Sequence, residues 1–182
     1  MKEIKLIGIN GSIRKDSYNR HLLQNIGFLL PDNVKMEIVE IKDVPIYNPD
    51  DENILPTIVK DYKEKIRRSD AVIIATPEYN FSFPGVLKNA LDWFTRPPND
   101  NVLQHKIAGI VSASSGMLGG SRAQYQLRQV LLYSEMDVLS KPEIFISFAD
   151  KKFSTGGKII DETSIKLLNA FISNLVDKIN KN

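Results

Sequence analysis

The chain contains no cysteine, which removes disulfides, thiolate nucleophiles and cysteine-ligated metal centres at once. A phosphatase of the low-molecular-weight kind, built on a cysteine in its phosphate loop, is excluded with them. Histidine is almost as scarce. The 2 histidines are His21, in the first turn of an expected helix, and His105, in a polar loop. Both read as surface residues rather than catalysts. Neither sign of charge is in excess, with 24 Lys and Arg against 22 Asp and Glu, a formal net charge of +2. That balance argues against nucleic acid as a partner and against an acidic electron carrier that docks by charge. The Gly-Lys-Ser/Thr run of a triphosphate loop is missing, and Gly8 and Gly11 are too few for a dinucleotide fingerprint. No apolar run approaches membrane-spanning length and no signal peptide is recognisable ahead of the first strand, so a cytoplasmic protein without a membrane partner is expected.

What is present is regular alternation. At 182 residues and 42% hydrophobic content the chain fits a single domain, 1–182, with a substantial core. Strands are expected at Ile4 to Ile9, Val34 to Ile41, Ala71 to Ala75, Ile107 to Val111 and Glu143 to Phe148. Ala71 to Ala75 is continuously apolar, as for a strand buried on both faces, whereas Val34 to Ile41 alternates and belongs nearer an edge. Helical spacing occupies the intervals: from near Arg20 to Pro31, through Ile58, Tyr62 and Ile66, over Gly85 to Phe94, from Ser121 to Tyr133, and through Ile165 to Ile179. Asp43 to Pro56 is an unusually long Pro-, Asn- and Asp-rich loop, of the kind that covers something. Such alternation predicts an α/β, doubly wound five-stranded parallel sheet of order 2-1-3-4-5 with helices on both faces. Its ligands bind at the C-terminal strand ends.

Three loops emerge there. After the first strand come Asn10-Gly11-Ser12, then Arg14, Ser17 and Asn19 at a helix start. Free N–H groups, the positive helix end, short hydroxyl and amide donors and one guanidinium make an anion site suited to a phosphomonoester. The plainer alternative is a polar loop whose Ser17 or Asn19 merely caps the helix. The second loop, Thr76-Pro77-Glu78-Tyr79-Asn80-Phe81-Ser82-Phe83-Pro84-Gly85, is stiffened by two prolines and suits a planar hydrogen-bonding ring. The third, Ser112 to Gly120, has three glycines that let backbone lie close to a ligand. Either of these two alone reads better as a tight turn with a helix cap; three such loops on one edge favour a ligand site.

Gly11-Ser12-Ile13-Arg14 with Ser17 and Asn19, Pro77-Glu78-Tyr79-Asn80, and Lys88-Asn89-Ala90-Leu91-Asp92-Trp93 together resemble the NADPH-dependent FMN reductase family, which is flavodoxin-like. Gly119 to Gln129 is similar to the branch of quinone, chromate and azo-dye reductases. The resemblance implies that Ser12, Arg14, Ser17 and Asn19 hold the FMN phosphate. Pro77, Glu78, Tyr79 and Asn80 would lie beside the flavin ring, with Ser115 and Gly116 closing the other side. It also implies NADPH or NADH as electron donor and a small-molecule acceptor: a quinone, an azo compound, chromate or free flavin. Chemistry would then belong to the flavin, and no catalytic side chain is required. A flavin-binding electron carrier or redox sensor is the alternative. Ser114-Ser115-Gly116 departs from the Pro-Gly-Gly of many relatives, which puts a hydroxyl where they have a ring. The family further implies homodimers or homotetramers. Arg122 and Tyr125 share a helix face, and with Ser115 and Glu143 they are the expected network between subunits; the alternative is a solvated Arg122 and a packed Tyr125. Trp93 reads as core, and Lys88 with Asp92 as a helical i,i+4 pair.

Overall fold

A computed structural model describes residues 3–181, so the two extremities of the expected 1–182 domain lie outside the described residues. In chain order the elements are β1 (Ile4–Asn10), α1 (Tyr18–Leu29), β2 (Val34–Glu40), α2 (Thr57–Arg68), β3 (Ala71–Ala75), α3 (Gly85–Phe94), β4 (Ile107–Ala113), α4 (Ser121–Tyr133), β5 (Asp137–Val138), β6 (Ile144–Ile146), α5 (Ala149–Lys152) and α6 (Glu162–Asn180). The strands pair in parallel in the order β2-β1-β3-β4-β5, with β6 also on β4. This is the expected flavodoxin-like topology.

The last strand differs from expectation. Glu143 to Phe148 does not pair as one piece, because two short strands share the outer edge of β4. Ile107 and Ala108 pair with β5, and Val111 to Ala113 pair with β6. Pro142 lies just before β6 and has no N–H to give a ladder, so the edge is interrupted there.

The period-2 alternation of each strand sorts side chains between two cores. Ile4, Leu6, Ile73, Val111 and Ile144 pack with Leu22, Leu23 and Ile26 of α1 and Leu168, Phe171 and Leu175 of α6. On the opposite face, Ile7, Ile9, Val72, Ile74 and Ile110 pack under α2, α3 and α4. The long loop after β2 lies on α3. Asn89 accepts from the Tyr47 amide at 2.7 Å, and the Trp93 indole donates to the Pro45 carbonyl at 2.8 Å. What this loop covers is therefore Trp93, which is core as expected.

One glycine of β4 is dictated by packing. A Cβ at Gly109 would stand 2.4 Å from Cζ of Phe171, a ring buried against the sheet. We expect Gly109→Ala to lose about 1–3 kcal/mol to overpacking, despite the backbone entropy that alanine saves. Urea denaturation checks this, and an unchanged midpoint would mean that Phe171 can move aside.

Candidate functional site

At the C-terminal edge of the sheet β1, β3, β4 and β6 are stapled together by their own backbones. Gly11 N donates to Ala75 O at 2.8 Å, Thr76 N to Val111 O at 3.0 Å, and Ser114 N to Ile146 O at 3.0 Å. A Cβ on Gly11 would lie 2.7 Å from the Ala75 carbonyl oxygen, so only glycine lets β1 and β3 close here.

The first loop is organised around its hydroxyls. Ser12 and Ser17 are buried, while Ile13, Arg14, Lys15 and Asp16 are exposed. Ser17 is the N-cap of α1: its Oγ accepts from Asn19 N at 3.2 Å and Arg20 N at 3.4 Å. Capping uses the oxygen and leaves the hydroxyl proton free to be donated, so cap and ligand roles are compatible. Ser12 Oγ accepts from Arg14 N at 3.4 Å. Among the described residues the backbone N–H groups of Ile13, Lys15, Asp16 and Ser17 have no acceptor within the chain. Unused donors at the positive end of a helix fit a phosphate.

Asn19 is placed differently from its expected role. Its Nδ2 donates to Ala113 O at 3.0 Å and its Oδ1 accepts from Ala113 N at 2.9 Å. The β3–β4 ladder stops at Val111, so on that side Ala113 has no strand neighbour and the Asn19 amide substitutes for one. Asn19 thus fastens the first loop to the third rather than offering both polar atoms to a ligand. Two residues outside the expected set, Glu40 and Arg20, orient the entrance together with Asn10 of the first loop. Asn10 Nδ2 donates to Glu40 Oε2 at 2.7 Å, Asn10 Oδ1 accepts from Ser12 N at 3.2 Å, and Arg20 holds Glu40 Oε1 at 2.8 Å. Glu40, at the end of β2, is hidden by its distance of 30 positions from Asn10. Behind the loop, His21 Nε2 lies 2.8 Å from Asp16 Oδ1. That hydrogen bond and the imidazole's charge hold the Asp16 carboxyl below the usual carboxylate range. His21 is half-buried rather than fully on the surface, and His105 is exposed.

The second loop contains a two-residue hairpin turn. Tyr79 and Ser82 exchange backbone bonds of 2.8 and 2.9 Å, and Asn80 and Phe81 between them have φ of 49° and 68°. Positive φ at both centres is hairpin-turn geometry, but the second centre is normally glycine, so Phe81 is strained. Helix α4 holds it in place. The Arg122 guanidinium lies 3.7 Å from the Phe81 ring centroid, and Gln126 donates to Phe81 O at 2.9 Å.

Glu78 is the centre of this attachment. Gly120, the N-cap of α4, has no side chain to cap with. The Glu78 carboxylate does the capping instead, accepting from Arg122 N at 3.1 Å and Ala123 N at 3.3 Å while pairing with the Arg122 guanidinium. A carboxylate at a helix N-terminus is favoured by the exposed N–H groups and the dipole. Glu78 therefore fixes the ring-facing loop, and its side chain is only 8% exposed.

Beneath the third loop, Ser112 Oγ donates to Gly119 O at 2.6 Å and accepts from Gln124 Nε2 at 2.8 Å. Gly119 and Gly120 have φ of 59° and 90°, and a Cβ on Gly120 would meet Ser112 Cβ at 2.7 Å. The backbone here must be glycine for both reasons. Ser115 and Gly116 lie exposed on the loop's crest. The expected network is not assembled within one chain. Arg122 is on Glu78, Glu143 takes Lys141 at 2.9 Å, and Tyr125 is half-exposed with its ring edge-on to Phe145 at 6.2 Å. Phe148, outside the expected site, is an exposed aromatic with φ 51° directly beside Gly116. Its only sequence signal is an aromatic at the end of an expected strand.

Residues 4–151 match the family model described as NADPH-dependent FMN reductase. A NAD(P)H-dependent FMN reductase of Pseudomonas aeruginosa is 42% identical over 167 residues, which is 91% of this chain and 90% of that protein. A quinone reductase of Escherichia coli strain K12 is 36% identical over 168 residues, 90% of this chain and 89% of its own. Among solved structures, FerB, a flavoenzyme NAD(P)H:(acceptor) oxidoreductase from Paracoccus denitrificans, superposes with a TM-score of 0.91 at 36% identity, covering 98% of each chain.

Proposed function

From the fact that the chain belongs to the NADPH-dependent FMN reductase family we infer that it is an FMN-dependent NAD(P)H oxidoreductase serving small quinone-type acceptors. The observation that carries this reading is the meeting of three unlike loops on one sheet edge: unused amides and hydroxyls at the start of α1, a braced turn after β3, and a glycine crest after β4.

We assign the FMN phosphate to Ser12, Arg14, Ser17 and the open amides between them, with Asn19 holding the loop from behind. Pro77, Glu78, Tyr79 and Asn80 would border one side of the ring system, and Ser115 with Gly116 the other. FMN held there would supply the redox chemistry that carries two electrons from NADPH or NADH to an acceptor. The chain's own task is to hold, orient and shelter.

Acceptors with flat rings suit exposed Tyr79 and Phe81. Azo compounds and free flavin share that shape, and chromate is the acceptor least related to it. A homodimer is proposed, because Ile13, Met117 and Leu118 expose apolar surface beside the site. Pairing into tetramers through Ser115, Arg122, Tyr125 and Glu143 would use only the guanidinium N–H groups that Glu78 leaves free. No described helix is long and apolar enough to cross a membrane; a cytoplasmic site, with its pool of reduced nicotinamide, is part of the proposal.

Equilibrium dialysis against FMN and riboflavin tests the site. The phosphate adds charge-assisted bonds of roughly 1.5–3 kcal/mol each, so FMN should be held at least a hundredfold more tightly. Equal retention of the two flavins would remove the first loop from the site.

A further inference from the structure

Two exposed phenyl rings flank the proposed site, and each has a cation over it: the Arg122 guanidinium 3.7 Å from the Phe81 centroid, and Lys151 Nζ 5.6 Å from the Phe148 centroid. The two pairs differ in net charge. Arg122 is neutralised by Glu78, whereas among the described residues Lys151 has no carboxylate partner.

Phe148 is also conformationally unusual. Its φ of 51° and ψ of 47° are left-handed helical, a region that bulky residues enter at a cost. Strain of this kind is kept where the surroundings use it. The surroundings here are the crest of the third loop: Phe148 N donates to Gly116 O at 3.3 Å and Ala149 N to Ser114 O at 3.0 Å. Lys151 is carried on the same turn, its N donating to Phe148 O at 2.9 Å. Both side chains are exposed.

The local charge inventory is one-sided. Residues 112–121 contain no charged side chain, and within 76–85 the one acid, Glu78, is committed. On the first loop Arg14 and Lys15 are exposed cations, while Asp16 is bound by His21. Of the other acids at this edge, Glu40 is held by Arg20 and Asn10, and Asp150 neighbours Lys151 on the helical turn, about 100° around the axis from it.

We propose that Phe148 and Lys151 form the acceptor-recognition element of this site, selecting planar aromatic acceptors that carry a negative charge, such as sulfonated or ionised-hydroxyl quinones. The ring offers a stacking face and the ammonium a charge beside it. This deepens the oxidoreductase reading and rests on it.

The test uses FMN-loaded protein and two acceptors, 1,4-naphthoquinone and its 2-sulfonate, with NADPH as donor. One unit charge near contact in water is worth about fivefold. Lys151→Ala should therefore lower the sulfonate-to-neutral ratio of kcat/KM about fivefold and Lys151→Glu roughly 25-fold, with the effect shrinking as salt is raised. Titration of the oxidised protein with the sulfonate, without NADPH, should show the same loss in Kd. Phe148→Gly separates recognition from folding, since glycine suits the backbone there. Its Tm should rise by about 2–4 °C while the Kd for the sulfonate weakens. An unmoved ratio in Lys151→Ala, or equal losses on both quinones, overturns the proposal. If the wild-type protein reduces neither quinone, the oxidoreductase reading falls and takes this one with it. A wild type that reduces both with a ratio indifferent to Lys151 removes this inference alone.

Discussion

Replacing Ser17 and Asn19 together by alanine is expected to weaken FMN binding by two to three orders of magnitude. The two residues act by different routes. Ser17→Ala removes a hydroxyl donor to a charged acceptor, worth roughly 1.5–3 kcal/mol, and the cap of α1 as well. Asn19→Ala leaves the N–H and C=O of buried Ala113 without the amide that now satisfies both, at about 1–3 kcal/mol of stability. The first loop then loses its tie to β4, and the open amides lose their fixed direction. Equilibrium dialysis measures the affinity, and turnover should return when FMN is supplied in excess. Affinity within a few-fold of wild type would mean that the loop only caps a helix.

Glu78→Ala is expected to lower the Tm of the flavin-free protein by about 4–8 °C, corresponding to roughly 2 kcal/mol. The substitution strips the cap from the N-terminus of α4 and the counter-charge from Arg122. A fully buried pair would cost more. Arg122 is 40% exposed on its side chain, so water recovers part of the loss. Glu78→Gln should lie between, because its amide oxygen still accepts from the helix but carries no charge. The strained turn at Asn80 and Phe81 should loosen too, since Arg122 would no longer be held over the ring. Scanning calorimetry decides the matter; a Tm within about 1 °C of wild type would show that the contact contributes nothing to stability.

How far the fold was legible depended on whether its signals were local. Ala71–Ala75 is apolar at every position and sits at the centre of the sheet, buried throughout. Val34–Glu40 alternates and forms the edge. By contrast, Glu143 to Phe148 looks like one strand from its composition, and the signal that divides β4's edge between two short pieces, Pro142, stands just outside that run. The site follows the same division. Ser17 capping α1 could be read from its position before the helix. Asn19 could not be assigned that way, because its partner Ala113 is 94 positions away and lacks a neighbour only where the β3 ladder ends. Glu78 reads as a loop carboxylate until α4 is seen to start at a glycine cap, whose open N–H groups bring Arg122, 44 positions after Glu78, onto its carboxylate. The left-handed backbone of Phe148 has no local signature at all: asparagine or glycine would announce such a φ, and phenylalanine conceals it.

The central claim is that this chain holds FMN on the three loops and has it reduced by a nicotinamide. The most direct measurement is an anaerobic titration of the FMN-loaded protein with NADPH, and in parallel with NADH, followed by flavin absorbance. Bleaching should be complete near one equivalent of at least one nucleotide, and the oxidised spectrum should return when a quinone is added. A protein that retains FMN and stays yellow with excess of both nucleotides would contradict it.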